Sequence, residues 1–277
     1  MESRNVTPGT LLHHFLILVI LVIFLFPIYW MISTSFKSSE DILTRPPKFV
    51  FEPTLDNYQY AFEEADFARF IRNTVIVAVT STAISVTLSA LGAYALTRLK
   101  FLGAGLLTTL LLITYLLPGT LLFIPLYQIL TDLSLFNTYG ALILTYPTFL
   151  LPFSTWVMIG YFRGIPVDLE EAAMIDGASR LRAFWKITLP LAMPGLLSVT
   201  LIAFTTAWNE FLFAFVFINS ENLRTLPIGL QSMIVGDILP WGKLMAAALI
   251  MAIPVVILYS YAQRFLVEGL TLGGVKG

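Results

Sequence analysis

Residues Asn73–Thr97 read NTVIVAVTSTAISVTLSALGAYALT, a run without Asp, Glu, Lys or Arg. A helix rises about 1.5 Å per residue, so roughly 20 apolar residues cross the ~30 Å hydrocarbon core of a bilayer. The run is long enough to span. It is continuously apolar rather than alternating, which favours a helix over a barrel strand. Five more charge-free runs flank it: Asn5–Phe36, Phe101–Thr131, Leu133–Phe162, Ile187–Asn209 and Leu244–Gln263. Together they predict an all-α integral membrane protein with six transmembrane helices. These are placed near Leu11–Ile32, Phe70–Thr97, Leu106–Leu126, Leu142–Phe162, Leu196–Phe217 and Leu244–Phe265.

Composition agrees. Of 277 residues, 57% are hydrophobic and 12% charged, and the mean hydropathy is +0.84. A soluble domain carries about 25% charged residues and cannot hide this much apolar surface. A soluble enzyme and a disordered tail are excluded. A net charge of −1 argues against a nucleic-acid partner, which calls for a basic face. The absence of cysteine removes disulfides, thiolate metal sites and cysteine nucleophiles. Helix 1 does not read as a cleaved signal peptide: its run is long, and Pro27, Tyr29 and Trp30 resemble an interfacial anchor.

An even number of spans puts both termini on one side. With the N-terminus inside, Arg4, Arg98, Lys100, Arg163, Arg180, Arg182, Lys186, Arg264 and Lys276 are cytoplasmic. Setting aside the longer first external segment leaves only Arg224 and Lys243 outside, so both termini are expected in the cytoplasm. In Lys37–Arg69, Asp56 is expected to N-cap a surface helix from Asn57 to Ala65. The domain boundaries expected are 1–68 for the tail, helix 1 and first external segment, 69–266 for a five-helix core with a cytoplasmic loop at 163–190, and 267–277 for a C-terminal tail.

The cytoplasmic loop carries the functional signal. From Pro166 to Pro190 it reads PVDLEEAAMIDGASRLRAFWKITLP. Asp168 is placed to N-cap a helix over Leu169–Asp176, with Glu171 completing a capping box. Gly177 is placed to end it in the left-handed conformation, and Ser179 to cap a second helix that stops before Pro190. A solvated loop is one reading. A knob docking on a soluble partner is the other: Ala172 and Ala173 permit close approach, Leu169, Met174 and Ile175 are apolar, and Glu170, Glu171 and Asp176 form an acidic edge.

Glu171-Ala172-Ala173, Gly177, Ile187 and Leu189-Pro190 match the EAA signature at every defined position, before the last two helices. On these residues the chain resembles the inner-membrane permease subunits of binding-protein-dependent ABC importers, with a type I, MetI-like fold. Pro53-Thr54-Leu55-Asp56-Asn57-Tyr58, Leu91–Arg98, Ala207-Trp208-Asn209-Glu210-Phe211 and Gly269–Gly277 are similar to the carbohydrate-uptake branch, of the maltose-transporter type. The resemblance covers essentially the whole chain.

The resemblance implies a bacterial or archaeal inner-membrane location among lipid, a second homologous permease subunit, two ABC ATPase subunits and an external solute-binding protein. It also implies that Glu170, Glu171, Ala172, Ala173, Asp176, Gly177, Ile187, Leu189 and Pro190 form the element that couples to the ATPases. No phosphate loop is present, so no cofactor is expected in this chain, and ATP and Mg are expected on the partner ATPases. No catalytic residue is proposed. His13 and His14 read as interface residues rather than metal ligands. Trp208, Asn209 and Glu210, expected inside helix 5, either line the solute path or pack within the protein. A path poor in charge suits a neutral sugar. Competing readings are an ABC permease for another solute, such as a sugar phosphate or peptide, and a secondary transporter, which needs midplane ionisable groups.

Overall fold

The computed structural model describes the backbone of residues 8–234, 236 and 239–273, and the side chains of 12–234, 236 and 239–263. Every regular element among them is helical. In chain order the α-helices are α1 (Pro8–Ser35), α2 (Ser39–Leu43), α3 (Asp56–Gln59), α4 (Phe67–Arg98), α5 (Ala104–Leu116), α6 (Phe123–Asp132), α7 (Tyr139–Thr145) and α8 (Pro147–Arg163). They continue with α9 (Asp168–Ile175), α10 (Arg180–Ala183), α11 (Leu189–Leu191), α12 (Met193–Trp208), α13 (Leu212–Phe217), α14 (Leu226–Ser232) and α15 (Trp241–Gly273).

Four continuous segments are long and apolar enough to cross a membrane: Leu12–Ser35, Phe67–Arg98, Tyr139–Arg163 and Trp241–Gln263. Two bent pairs bring the total to six if each is one span. The third expected helix is not the continuous Leu106–Leu126. It ends at Leu116, turns by 100° through Pro118 and Gly119, and resumes to Asp132. Pro118 lacks the N–H an unbroken helix would use, so the break falls there. The second bent pair is Arg180–Leu191 with Met193–Trp208, at 75°, and the fifth expected helix is not continuous over Leu196–Phe217: α12 stops at Trp208, and α13 begins after Asn209, Glu210 and Phe211. Charge-free length reports apolar depth, which a broken helix supplies as well as a straight one.

The described chain divides into two compact units. One comprises Met1–Phe67 with Leu230–Ile253, and the other Ala68–Gly229 with Pro254–Gly277. In the first, Asn57 holds the end of α1 through its amide, donating to the carbonyls of Ser35 at 3.0 Å and Lys37 at 2.9 Å. Gly242 lies against that amide, where a Cβ would come within 2.7 Å. Asp56 is the first residue of α3 and caps nothing; the preceding turn is closed by its own N–H donating to the Thr54 hydroxyl. Lys37 is buried, donates to the Lys48 carbonyl at 2.7 Å and lies over the rings of Trp30 and Phe51.

In the second unit, α4 packs on α8 through small residues. Ser81, Ser85 and Ser89 are fully buried, Ser89 donates to the Leu151 carbonyl, and Gly92 meets the Thr155 methyl at Cβ contact distance. Small residues at this spacing let two backbones approach where lipid offers no hydrophobic drive. Helix α12 crosses α8 at Gly195, whose Hα faces the Tyr161 ring with no room for a Cβ. Near the start of α4, Asn73 donates to the carbonyls of Asn222 and Arg224 and accepts from the Tyr139 hydroxyl. At its other end α4 delivers Tyr94 and Arg98 to the loop that follows α8.

Candidate functional site

The loop after α8 is a helix–turn–helix. Helix α9 spans Asp168–Ile175, and Gly177 takes φ +87. The Gly177 N–H donates to Met174 O at 3.1 Å and the Ala178 N–H to Ala173 O at 2.9 Å, the paired bonds of a Schellman stop. Asp168 does not cap this helix: Val167 occupies that position without a side-chain bond, and Asp168 lies in the first turn, where its charge suits the helix dipole. Ser179 does cap α10, accepting from the Arg182 N–H at 3.3 Å. The second helix does not stop before Pro190. A π-turn at Phe184–Thr188 continues into α11, which contains Pro190. The wider turn accommodates a residue that would break regular i→i−4 bonding.

The outer face of this knob is exposed. Ile175 is 86% exposed, Leu181 63% and Trp185 54%, and Glu171, Ala172, Asp176, Gly177 and Pro190 are also exposed. Ala173, Ile187 and Leu189 are half-buried. Glu170 departs from the acidic edge expected of it. It turns inward and is 2% exposed, because its position in the first turn of α9 faces the end of α4. Its Oε1 accepts from Arg98 Nε at 2.7 Å and its Oε2 from the Tyr94 hydroxyl at 2.8 Å. Arg98 Nη2 also donates to the carbonyls of Phe162 at 2.9 Å and Ile165 at 2.8 Å, capping the end of α8. Tyr94 stands against Phe184 with ring centroids 4.7 Å apart.

Burial alone would push the Glu170 carboxyl up. The hydrogen bonds from Arg98 and Tyr94, with the Arg98 charge, outweigh it and hold the group below the usual carboxylate range. Sequence reading missed Arg98 and Tyr94. The only signal was a lone arginine closing an apolar helix, where a cation suits the C-terminal dipole.

The second set of candidates lies at the α12–α13 break, not inside a helix. Trp208 is fully buried and stacked on Phe204, as the packing alternative expects. Asn209 is exposed and donates from its amide to the Thr205 carbonyl at 2.8 Å. Glu210 accepts from the Phe213 N–H at 2.8 Å and the Ala214 N–H at 3.1 Å, satisfying donors that open α13. Among the described residues no group of three or more His, Cys, Asp or Glu side chains is placed to hold a metal. The expected tail Gly269–Gly277 lies outside the residues whose side chains are described, as does Arg264.

Among the described residues, apolar helical segments long enough to span a membrane, with an amphipathic knob after α8, mark an integral membrane protein. Residues 85–271 match the family described as the binding-protein-dependent transport system inner membrane component, and the chain belongs to that family. It is 42% identical over 260 residues to the inner membrane ABC transporter permease protein YcjP of Escherichia coli (strain K12), covering 93% of each chain. It is 39% identical over 260 residues to the trehalose/maltose transport system permease protein MalG of Thermococcus litoralis, covering 92% of this chain and 93% of that one. The fold is shared with a chain of a bacterial ABC transporter that imports the acidic polysaccharide alginate: the TM-score is 0.81 at 24% identity, covering 95% and 98% of the two chains.

Proposed function

We propose that this chain forms half of the translocation pathway of an ATP-driven importer for a neutral sugar or oligosaccharide. A second homologous permease supplies the other half, two ABC ATPases bind below, an external solute-binding protein delivers the solute, and both termini lie in the cytoplasm. ATP and Mg sit on the ATPases. The observation that carries this reading is the knob at α9. Its exposed Glu171, Ala172, Asp176 and Gly177, beside exposed Ile175, make a short apolar surface with an acidic edge that fits a groove lined by basic residues. The kinship with a trehalose/maltose permease supports a sugar. ATP binding would close the ATPase pair, carry the knobs with it and rock the two permeases between inward- and outward-facing states.

The test is to tag the chain at its N-terminus, extract it in mild detergent and identify what accompanies it. An ATPase, a second permease and a binding protein that takes neutral disaccharides are expected. A chain that purifies alone and moves solute in vesicles without ATP would mark a secondary transporter instead.

A further inference from the structure

The α9 knob joins α8 through Gly164–Val167 and α12 through Gly177 and the π-turn, so its backbone connections are soft on both sides. The Arg98 guanidinium spans the first of these joints. Its Nη2 binds the carbonyls of Phe162 and Ile165, one on either side of Gly164, while its Nε holds Glu170 in the first turn of α9. Tyr94 ties the same carboxylate to the second joint by packing on Phe184, which is 1% exposed. Both anchors stand one turn apart on α4. The Arg98 and Glu170 side chains are 5% and 3% exposed. A pair this buried is a poor source of net stability, since desolvation consumes most of the attraction, but it fixes geometry closely.

We propose that Arg98 and Glu170, with Tyr94, are positioning residues that make the knob move as one body with the ends of α4 and α8, so that a displacement imposed on α9 reaches the membrane helices instead of being lost at Gly164 and Gly177. The inference rests on the reading of the knob as the ATPase-docking element. It adds that the stiffness of that element comes from a side-chain clamp built on another helix.

The natural chain has no cysteine, so two can be introduced without removing any. Spin labels at Leu88→Cys and Asp168→Cys, both exposed, report the distance between α4 and α9 in the assembled transporter. One narrow distribution is expected with and without ATP. In Glu170→Gln it broadens, the ATPase still co-purifies, and solute taken up per ATP hydrolysed falls tenfold or more. Arg98→Lys, which can hold Glu170 but not both carbonyls, falls between. Tyr94→Phe removes one hydroxyl, keeps the ring and should fold, so its broader distribution and lowered yield per ATP test the clamp even if the other variants do not assemble. An assembled Glu170→Gln or Tyr94→Phe transporter with wild-type yield per ATP overturns the proposal, as does a wild-type distance that changes on ATP binding. If no ATPase accompanies the wild-type chain, the docking reading falls first and this inference with it.

Discussion

Glu170 and Glu210 are two carboxylates in one apolar chain, and only one of them is paired with a cation. Glu170 meets a guanidinium and a phenol from a helix more than 70 positions earlier in the sequence, and the same guanidinium reaches the end of α8. Glu210 meets backbone N–H groups three and four residues ahead of it and the Tyr146 phenol from the α7–α8 junction. The first joins three segments through a guanidinium and a phenol, and the second closes its own turn and reaches one other segment through a phenol alone. A buried charge therefore constrains only as much of the molecule as its partners span. The one at the knob spans the ends of α4, α8 and α9.

Removing the cation should show the larger effect. Arg98→Ala leaves Glu170 buried without its partner and uncaps two carbonyls, and is expected to cost about 3–5 kcal/mol. Replacing the pair together, Arg98→Met with Glu170→Leu, should recover most of that stability, since apolar side chains of similar volume carry no desolvation penalty. The temperature at which the folded chain is lost from a mild detergent extract ranks the three proteins. A single variant as stable as the parent would mean that the ion pair is not closed in the membrane.

At the knob's own turn the expected cost is smaller. Gly177 sits at φ +87 with open space around it, so Gly177→Ala meets no clash but carries backbone strain of roughly 1–2 kcal/mol. Asn tolerates this conformation better, and Gly177→Asn should cost less. Tryptic cleavage at the exposed Arg180 and Arg182 reads the loosening, and equal cleavage rates for Ala and Asn would show that the left-handed turn does not persist.

Glu210→Ala should cost about 1 kcal/mol, the worth of a helix cap. The effect should reach the Tyr146 hydroxyl, which loses its partner, and go no further: amide exchange quickens at Phe213 and Ala214 and is unchanged around α9. Glu210→Gln keeps an acceptor and should lose less. Unaltered exchange at both amides would show that the carboxylate points elsewhere, toward a solute or a partner.

These contrasts also show what the sequence could convey. Charge-free length located each apolar segment, since lipid demands it of every spanning element. It could not show that the chain bends at Pro118-Gly119 and between Leu191 and Met193, because direction depends on what packs against the break. The stops at Gly177 and Ser179 were readable from residue type, because each acts through bonds to near neighbours. The inward turn of Glu170 was not readable. Beside Glu171 in sequence it resembles one more surface acid, and only the arrival of Tyr94 and Arg98 from α4 separates the two. Nor was the stacking of Phe204 on Trp208 readable, since the sequence left open whether that aromatic packs or lines a path.

The smallest expected effect is a null over a defined pH range. The folded-state pKa of Glu170 is depressed: burial opposes ionisation, and the Arg98 and Tyr94 bonds with the Arg98 charge outweigh it. A depressed carboxylate contributes its full stability above its unfolded value, about 4.3, and loses it as pH falls through the folded pKa below that. The stability difference between the parent and Glu170→Gln should therefore stay constant from about pH 7.5 to 5.5 and shrink only below about 4.3. Melting of the two detergent-solubilised proteins across that range measures it. A difference that shrinks already between about pH 7 and 6 would place the titration near the neutral range, where burial and not Arg98 governs the carboxyl. The knob would then hang on a hydrogen bond from a protonated acid, and the contrast with Glu210 would collapse.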